Sequence, residues 1–194
     1  AFLWLFSFLI ATFVVKPVKA EILYKEGYTL IDNGLYPQSE VKFNEALEYW
    51  KKKNWYYKFA RSYSEHRQYE RAGLMYERLL QTYNYEKKAG IEYARMELDE
   101  LADYSKAEEI TRRYVLDHHI NDADGMLLLG DVFLEWATNS TDEEVKAARF
   151  EDARVAYADV MSLYGQNDLY LSRMMRYFIR TDQIREVLPL KSYF

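Results

Sequence analysis

The sequence predicts an all-α protein of about five antiparallel helix hairpins, and three observations predict it. Seven glycines and three prolines in 194 residues leave few breakers, and strand-favouring runs bounded by turn residues are nearly absent. Apolar residues make up 49% and aromatic residues 17%, enough to bury a sizeable core. An amphipathic pattern also recurs: Leu23, Tyr56, Ile91, Met126 and Leu171 head five similar stretches, at spacings of 33, 35, 35 and 45 residues.

The first 20 residues, AFLWLFSFLIATFVVKPVKA, have a different composition: 15 apolar or small residues and then Lys16, Pro17 and Lys19. That is the length of a signal-peptide core and short of the roughly 20 residues that span a bilayer. Val18 and Ala20 suit a cleavage site before Glu21, while an uncleaved membrane anchor through residues 1–15 is the other reading. Either way, residues 21–194 are expected outside the cytoplasm. Without residues 1–20 the chain carries 24 basic and 31 acidic residues, a net charge of minus seven, which opposes nucleic-acid binding. The chain has no cysteine, which fits a bacterial periplasmic protein held by helix packing alone.

The first hairpin is expected near residues 21–52. Leu23, Gly27 and Leu30 mark one helix, Ser39, Phe43 and Ala46 the next, and Asn33 and Gly34 the turn, because glycine accepts the left-handed conformation that ends a helix. The second, residues 53–87, is the clearest. Tyr56, Phe59, Ala60 and Tyr63 lie at three- and four-residue steps on one face, and Tyr69, Ala72, Tyr76 and Leu79 do the same on its partner. Ala60 and Ala72 stand where two helices approach closely, with the large tyrosines filling the space around them. This order of aromatic, apolar and small residues resembles the tetratricopeptide repeat (TPR) family, and the resemblance implies a right-handed α-solenoid.

The third hairpin, residues 88–121, has Ile91, Ala94 and Leu98 and then Tyr104, Ala107 and Tyr114, with a turn expected at Asp103 to Ser105. It departs from the TPR pattern at Arg95, where a small residue is usual, and at Thr111, where an aromatic one is. The fourth, residues 122–165, begins with Met126, Leu129, Gly130 and Phe133, and its partner helix carries Ala153, Tyr157 and Val160 but arrives 11 residues late. The insertion at 138–149 holds Thr141 followed by Glu144, a capping-box spacing, so it either lengthens the second helix at its start or adds a small excursion. The fifth, residues 168–194, shows Leu171, Met174, Met175 and Phe178, then a second helix from Ile184 that Pro189 interrupts unless it stands in the first turn. It ends on apolar Leu190, Tyr193 and Phe194, which suit a partner, another copy of the chain or a continuing protein.

Catalysis finds no support in the sequence: it has no phosphate loop and no nucleophile with a recognisable partner. No cofactor is expected. The cluster from Asp117 to Gly125 offers His118 and His119 among carboxylates. Adjacent histidines on a helix point about 100° apart, however, and Ile120 stands where a calcium loop needs an oxygen. Asp122 and Asp124 are instead expected to cap the helix beginning near Gly125, so no metal site is assigned.

What remains is a surface. In the TPR family the first helix of each hairpin lines a concave groove, and the resemblance implies partner contacts for Tyr24, Tyr28, Tyr57, Arg61, Met96 and Asp131. Asp32, Glu65, Asp99 and Glu135 flank these positions, giving a groove suited to a basic and apolar peptide or helix. The function expected is a noncatalytic protein–protein interaction scaffold of a bacterial cell-envelope machine. The helical domain of a larger cell-wall or glycan-acting enzyme and a periplasmic chaperone are the alternatives.

Overall fold

A computed structural model describes Trp4 and residues 11–190. A π-helical turn, Ala11–Val15, leads into α1 (Lys16–Asp32), followed by α2 (Tyr36–Tyr49), α3 (Lys53–Glu65), α4 (Tyr69–Thr82) and α5 (Lys87–Asp99). Next come α6 (Tyr104–Ile110), a second π-helical stretch (Thr111–Leu116), α7 (Ala123–Asn139), α8 (Glu143–Tyr164), α9 (Asp168–Arg180) and α10 (Ile184–Leu190). No strand occurs among the described residues. The helices pair in sequence as five hairpins, and the chain divides into two compact units, residues 1–83 with the first two hairpins and residues 84–194 with the other three.

The N-terminal unit is held by aromatic rings. Phe43 lies 4.7 Å from Phe59, 5.0 Å from Tyr56 and 5.4 Å from Tyr24 between ring centroids, and Tyr24 stacks on Trp55. Gly27 lets this cluster close, since a Cβ there would stand 2.9 Å from Phe59 Cζ. The buried stripe on α1 includes the expected Leu23 and Gly27 together with Tyr24 and Ile31, while Leu30 is only half-buried. The buried polar pair Ser39 and Tyr63 is satisfied internally by a 2.9 Å hydrogen bond.

The C-terminal unit is more aliphatic, with Leu129, Phe133, Leu134, Tyr157, Val160, Met174 and Tyr177 in one cluster. Tyr177, rather than Met175 or Phe178, completes the inward row of α9. Buried Glu97 is paired with Lys106 Nζ at 2.7 Å.

The turns repeat as the helices do. Gly34, Arg67 and Asp182 each adopt positive φ, at 73°, 57° and 58°, two residues before the second helix of their hairpin. In each case the next amide reaches back five residues: Leu35 to Leu30, Gln68 to Tyr63 and Gln183 to Phe178, at 2.7 to 2.9 Å. The third hairpin differs, with Ala102 at φ 51° and the Asp103 amide reaching Glu97. Its turn therefore precedes the expected Asp103 to Ser105. Asp103 is the N-cap of α6 and accepts from the Lys106 amide.

In the fourth hairpin the inserted residues lengthen α8 to 22 residues. The cap is Asp142, which accepts from the amides of Glu144 and Val145, and not the expected Thr141. Carboxylate oxygen is the stronger acceptor at a positive helix end.

α1 starts at Lys16, with Pro17 in its first turn, and runs unbroken through the expected cleavage point, where Ala20 is fully buried. Residues 1–10 other than Trp4 lie outside the described residues, as do Tyr193 and Phe194. Among the described residues no helix is long and apolar enough to cross a membrane. Pro189 lies inside the last turn of α10 and not in its first.

Candidate partner-binding faces

The first helices of the hairpins are α1, α3, α5, α7 and α9, and each unit presents its own face of them. In the N-terminal unit that face is organised by Glu21 on α1, which accepts from Lys52 Nζ at 2.7 Å and Trp55 Nε1 at 3.1 Å. These two bonds hold its carboxyl below the usual range. Lys58 lies over the Trp55 ring at 4.2 Å, and Arg61 over the Tyr57 ring at 5.3 Å.

Of the groove residues expected here, Arg61 is exposed and Tyr28 half-buried, its ring edge-on to Trp55 and Phe59. Tyr24 and Tyr57 differ from expectation. Tyr24 has no exposed surface, its hydroxyl donates to the Trp50 carbonyl at 2.9 Å, and burial pushes its phenol pKa far up. Tyr57 is 8% exposed. Both rings are buried, Tyr24 against Phe43 and Trp55.

The C-terminal unit presents a charged wall. Asp131 on α7 is 1% exposed, and three side chains from three other helices converge on it. Arg95 on α5 donates at 2.6 Å, and the Tyr157 hydroxyl on α8 donates at 2.8 Å. Arg173 Nε on α9 lies 3.1 Å away but off the hydrogen-bonding line, so it contributes charge. Burial, followed by the Asp131 charge, pushes the Tyr157 phenol pKa upward, so it stays a donor. One helical turn along α7, Glu135 pairs with Arg176. A cavity of about 420 Å³ opens beside this wall, lined by Arg95, Asp99, Tyr104, Glu135, Arg176 and Arg180 among others. Partial burial raises the Asp99 carboxyl above its usual range, against the pull of Arg95, and the charges of Asp131, Glu100 and Glu135 add to the rise.

Asp131 and Met96 were expected to face a partner; the first is the buried hub of the wall and the second is 5% exposed. Arg95, Arg176 and Arg180 also reach the cavity, though none is among the expected groove residues. Arg95 carried a signal in the sequence, as the one residue of its helix that breaks the small-residue rule.

The sequence matches no protein-family profile and no curated protein. Among solved structures, this chain is similar to MamA 41-end from Desulfovibrio magneticus RS-1, a TPR-like protein. The TM-score is 0.58 at 15% identity, over 90% of this chain and 92% of that one. The MamA RS-1 ArsTM double mutant aligns with the same values. The chain has a TPR-like fold.

In this TPR-like frame the histidine segment is a connector. Asp122 accepts from the Gly125 amide at 3.0 Å and so caps α7, while Asp124 sits in its first turn. Lys87 Nζ bridges the two carboxylates at 2.8 and 3.0 Å. His119 Nε2 donates to the Tyr85 carbonyl at 3.0 Å, and His118 stacks on the Tyr85 ring with centroids 3.6 Å apart. Among the described residues no three His, Cys, Asp or Glu side chains are grouped to hold a metal ion.

Proposed function

We propose that this protein is a noncatalytic scaffold that holds a segment of a partner protein against the first-helix faces of its TPR-like hairpins. The observation that carries the reading is the wall around Asp131. Its charges are already paired within the protein, so a partner meets a preformed surface and orders little on binding. At the rim, Asp99 favours a basic group on the partner, and Tyr28 with Arg61 offers an aromatic and cationic contact in the N-terminal unit.

We set this scaffold in a bacterial cell envelope, as part of secretion, outer-membrane or flagellar machinery. The apolar composition of residues 1–15 and the absence of cysteine support that placement. Crosslinking from whole envelopes tests both parts. The native chain is compared with a folded Tyr28→Ala, Arg61→Ala, Asp99→Ala variant. Recovery of one stoichiometric envelope partner, lost in the variant, is the expected result. Recovery of the same partner by both chains removes the groove from the function, and a purely cytoplasmic distribution on fractionation removes the envelope.

A further inference from the structure

A second cavity lies within the C-terminal unit on the other side of α7. Met126, Leu129 and Phe133 line it, and at about 100° per residue they fall roughly opposite Asp131 on the helix. Its volume is about 400 Å³. Leu116 and Ala156 complete an apolar floor, while Ile120, 81% exposed, and Val155, 41% exposed, form an open apolar rim. A cavity of this size and lining accepts a large apolar side chain.

Two further observations bear on it. One wall is the π-helical stretch Thr111–Leu116, which supplies Arg112 and Leu116. A π-helical turn re-aims side chains relative to an α-helix and is found disproportionately at functional positions. The other is charge. Arg112 pairs with Glu108 at 2.9 Å, and Arg149 pairs with Glu108 at 3.6 Å and Asp152 at 3.0 Å, so these four charges close on themselves. Asp159, also on the lining, has no partner among the described residues. The rim is therefore left with one uncompensated negative charge beside an apolar hollow.

We infer that this cavity is a second docking site, separate from the first-helix face, for a segment of a partner protein. That segment inserts a large apolar side chain between Leu116 and Phe133 and sets a lysine or arginine against Asp159. The π-helical wall shapes the hollow, the apolar floor supplies most of the affinity, and Asp159 selects the sign of the neighbouring charge.

The test is a displayed library of random 12-residue peptides selected on the full chain. Enriched peptides are then synthesised and measured by fluorescence polarisation against variants verified to be folded by circular dichroism. The expected consensus is one large apolar residue with Lys or Arg within one helical turn. Val155→Asp weakens binding at least about tenfold, as loss of one apolar side chain that docking buries requires. Asp159→Asn weakens it about threefold and flattens its salt dependence, the range of an exposed ion pair. Arg180→Ala, on the first-helix cavity, leaves the affinity of peptides seated in this second cavity unchanged, whereas peptides that lose binding to it occupy the groove, so this site and the groove stand or fall separately. The inference is overturned by an acidic consensus, by no enrichment, or by binding indifferent to Val155→Asp. It is equally overturned if the purified chain self-associates in a way that Val155→Asp abolishes, because the occupant is then a second copy.

Discussion

Replacing Gly130 by alanine probes a close helix crossing of the C-terminal unit. A Cβ there would stand 2.4 Å from Tyr157 Cε1 and 2.7 Å from Cδ1, where carbon atoms in contact normally keep about 3.5–4.0 Å. The ring has little freedom to swing clear: it is 1% exposed and its hydroxyl is fixed to Asp131 at 2.8 Å. Two effects oppose each other. Alanine in place of glycine inside a helix gains about 1 kcal/mol, while overpacking a well-filled core costs about 1–3 kcal/mol. An overlap of this size against a tethered ring belongs at the upper end, so the net loss is about 2 kcal/mol. Gly90 gives a milder case. Its added Cβ would meet Val115 Cγ2 at 2.7 Å, on a fully buried β-branched side chain that no hydrogen bond tethers, and Gly90→Ala is expected to lose less, about 1 kcal/mol. Urea unfolding followed by circular dichroism reads both, with unchanged slopes. A Gly130→Ala protein as stable as the native one refutes the claim that Tyr157 is pinned.

Asp131→Asn keeps an acceptor for Tyr157 but leaves Arg95 and Arg173 without their counter-charge. With those side chains 35% and 28% exposed, the expected loss is about 1–2 kcal/mol in thermal melts, and Asp131→Ala costs more. Ala102→Gly relieves a left-handed residue at φ 51° on an exposed turn and raises stability by about 0.5–1 kcal/mol, measured by the urea midpoint. Asp99, with its folded pKa raised, stabilises the fold in acid and loses that contribution as pH rises through the folded value. Asp99→Asn should therefore raise Tm at pH 7, with the gain fading below the ordinary Asp range near pH ~4. Glu21 has the opposite sign: its depressed folded pKa stabilises above the ordinary Glu range and is lost as pH falls through the folded value. Glu21→Gln should accordingly lower Tm at neutral pH and converge with the native chain in acid.

Much of the repeat was legible because burial at a helix crossing depends on residue size, which a sequence states directly. Tyr56, Phe59, Ala60, Tyr63, Ala72, Tyr76 and Leu79 are all buried, and Gly27 and Gly130 both stand at close approaches. The groove was less legible because exposure depends on how far each helix rolls about its axis. Tyr24 and Tyr28 are one turn apart and read as one stripe. Yet Tyr24 turns into the core, where the Trp50 carbonyl, 26 residues away, satisfies its hydroxyl. No periodicity encodes that partner. The turns were legible only where glycine marks them. Gly34 announces a left-handed residue, whereas Arg67, Ala102 and Asp182 occupy the same conformation with no compositional signal.

Arg95 shows how a departure from the repeat is absorbed. A small residue at that position lets neighbouring helices close by backbone approach; arginine cannot, and its guanidinium instead reaches Asp131. The same carboxylate takes Tyr157 from the fourth hairpin and faces Arg173 from the fifth. Three consecutive hairpins therefore meet at one buried charge, which fixes their register by direction as well as by shape. Among its described residues the N-terminal unit has no equivalent; its two hairpins meet through Tyr24, Phe43, Trp55 and Phe59. The two units should respond differently to one perturbation. Removing the carboxylate loosens all three hairpins of the C-terminal unit together, while the aromatic unit, with no buried charge among its described residues, keeps its packing.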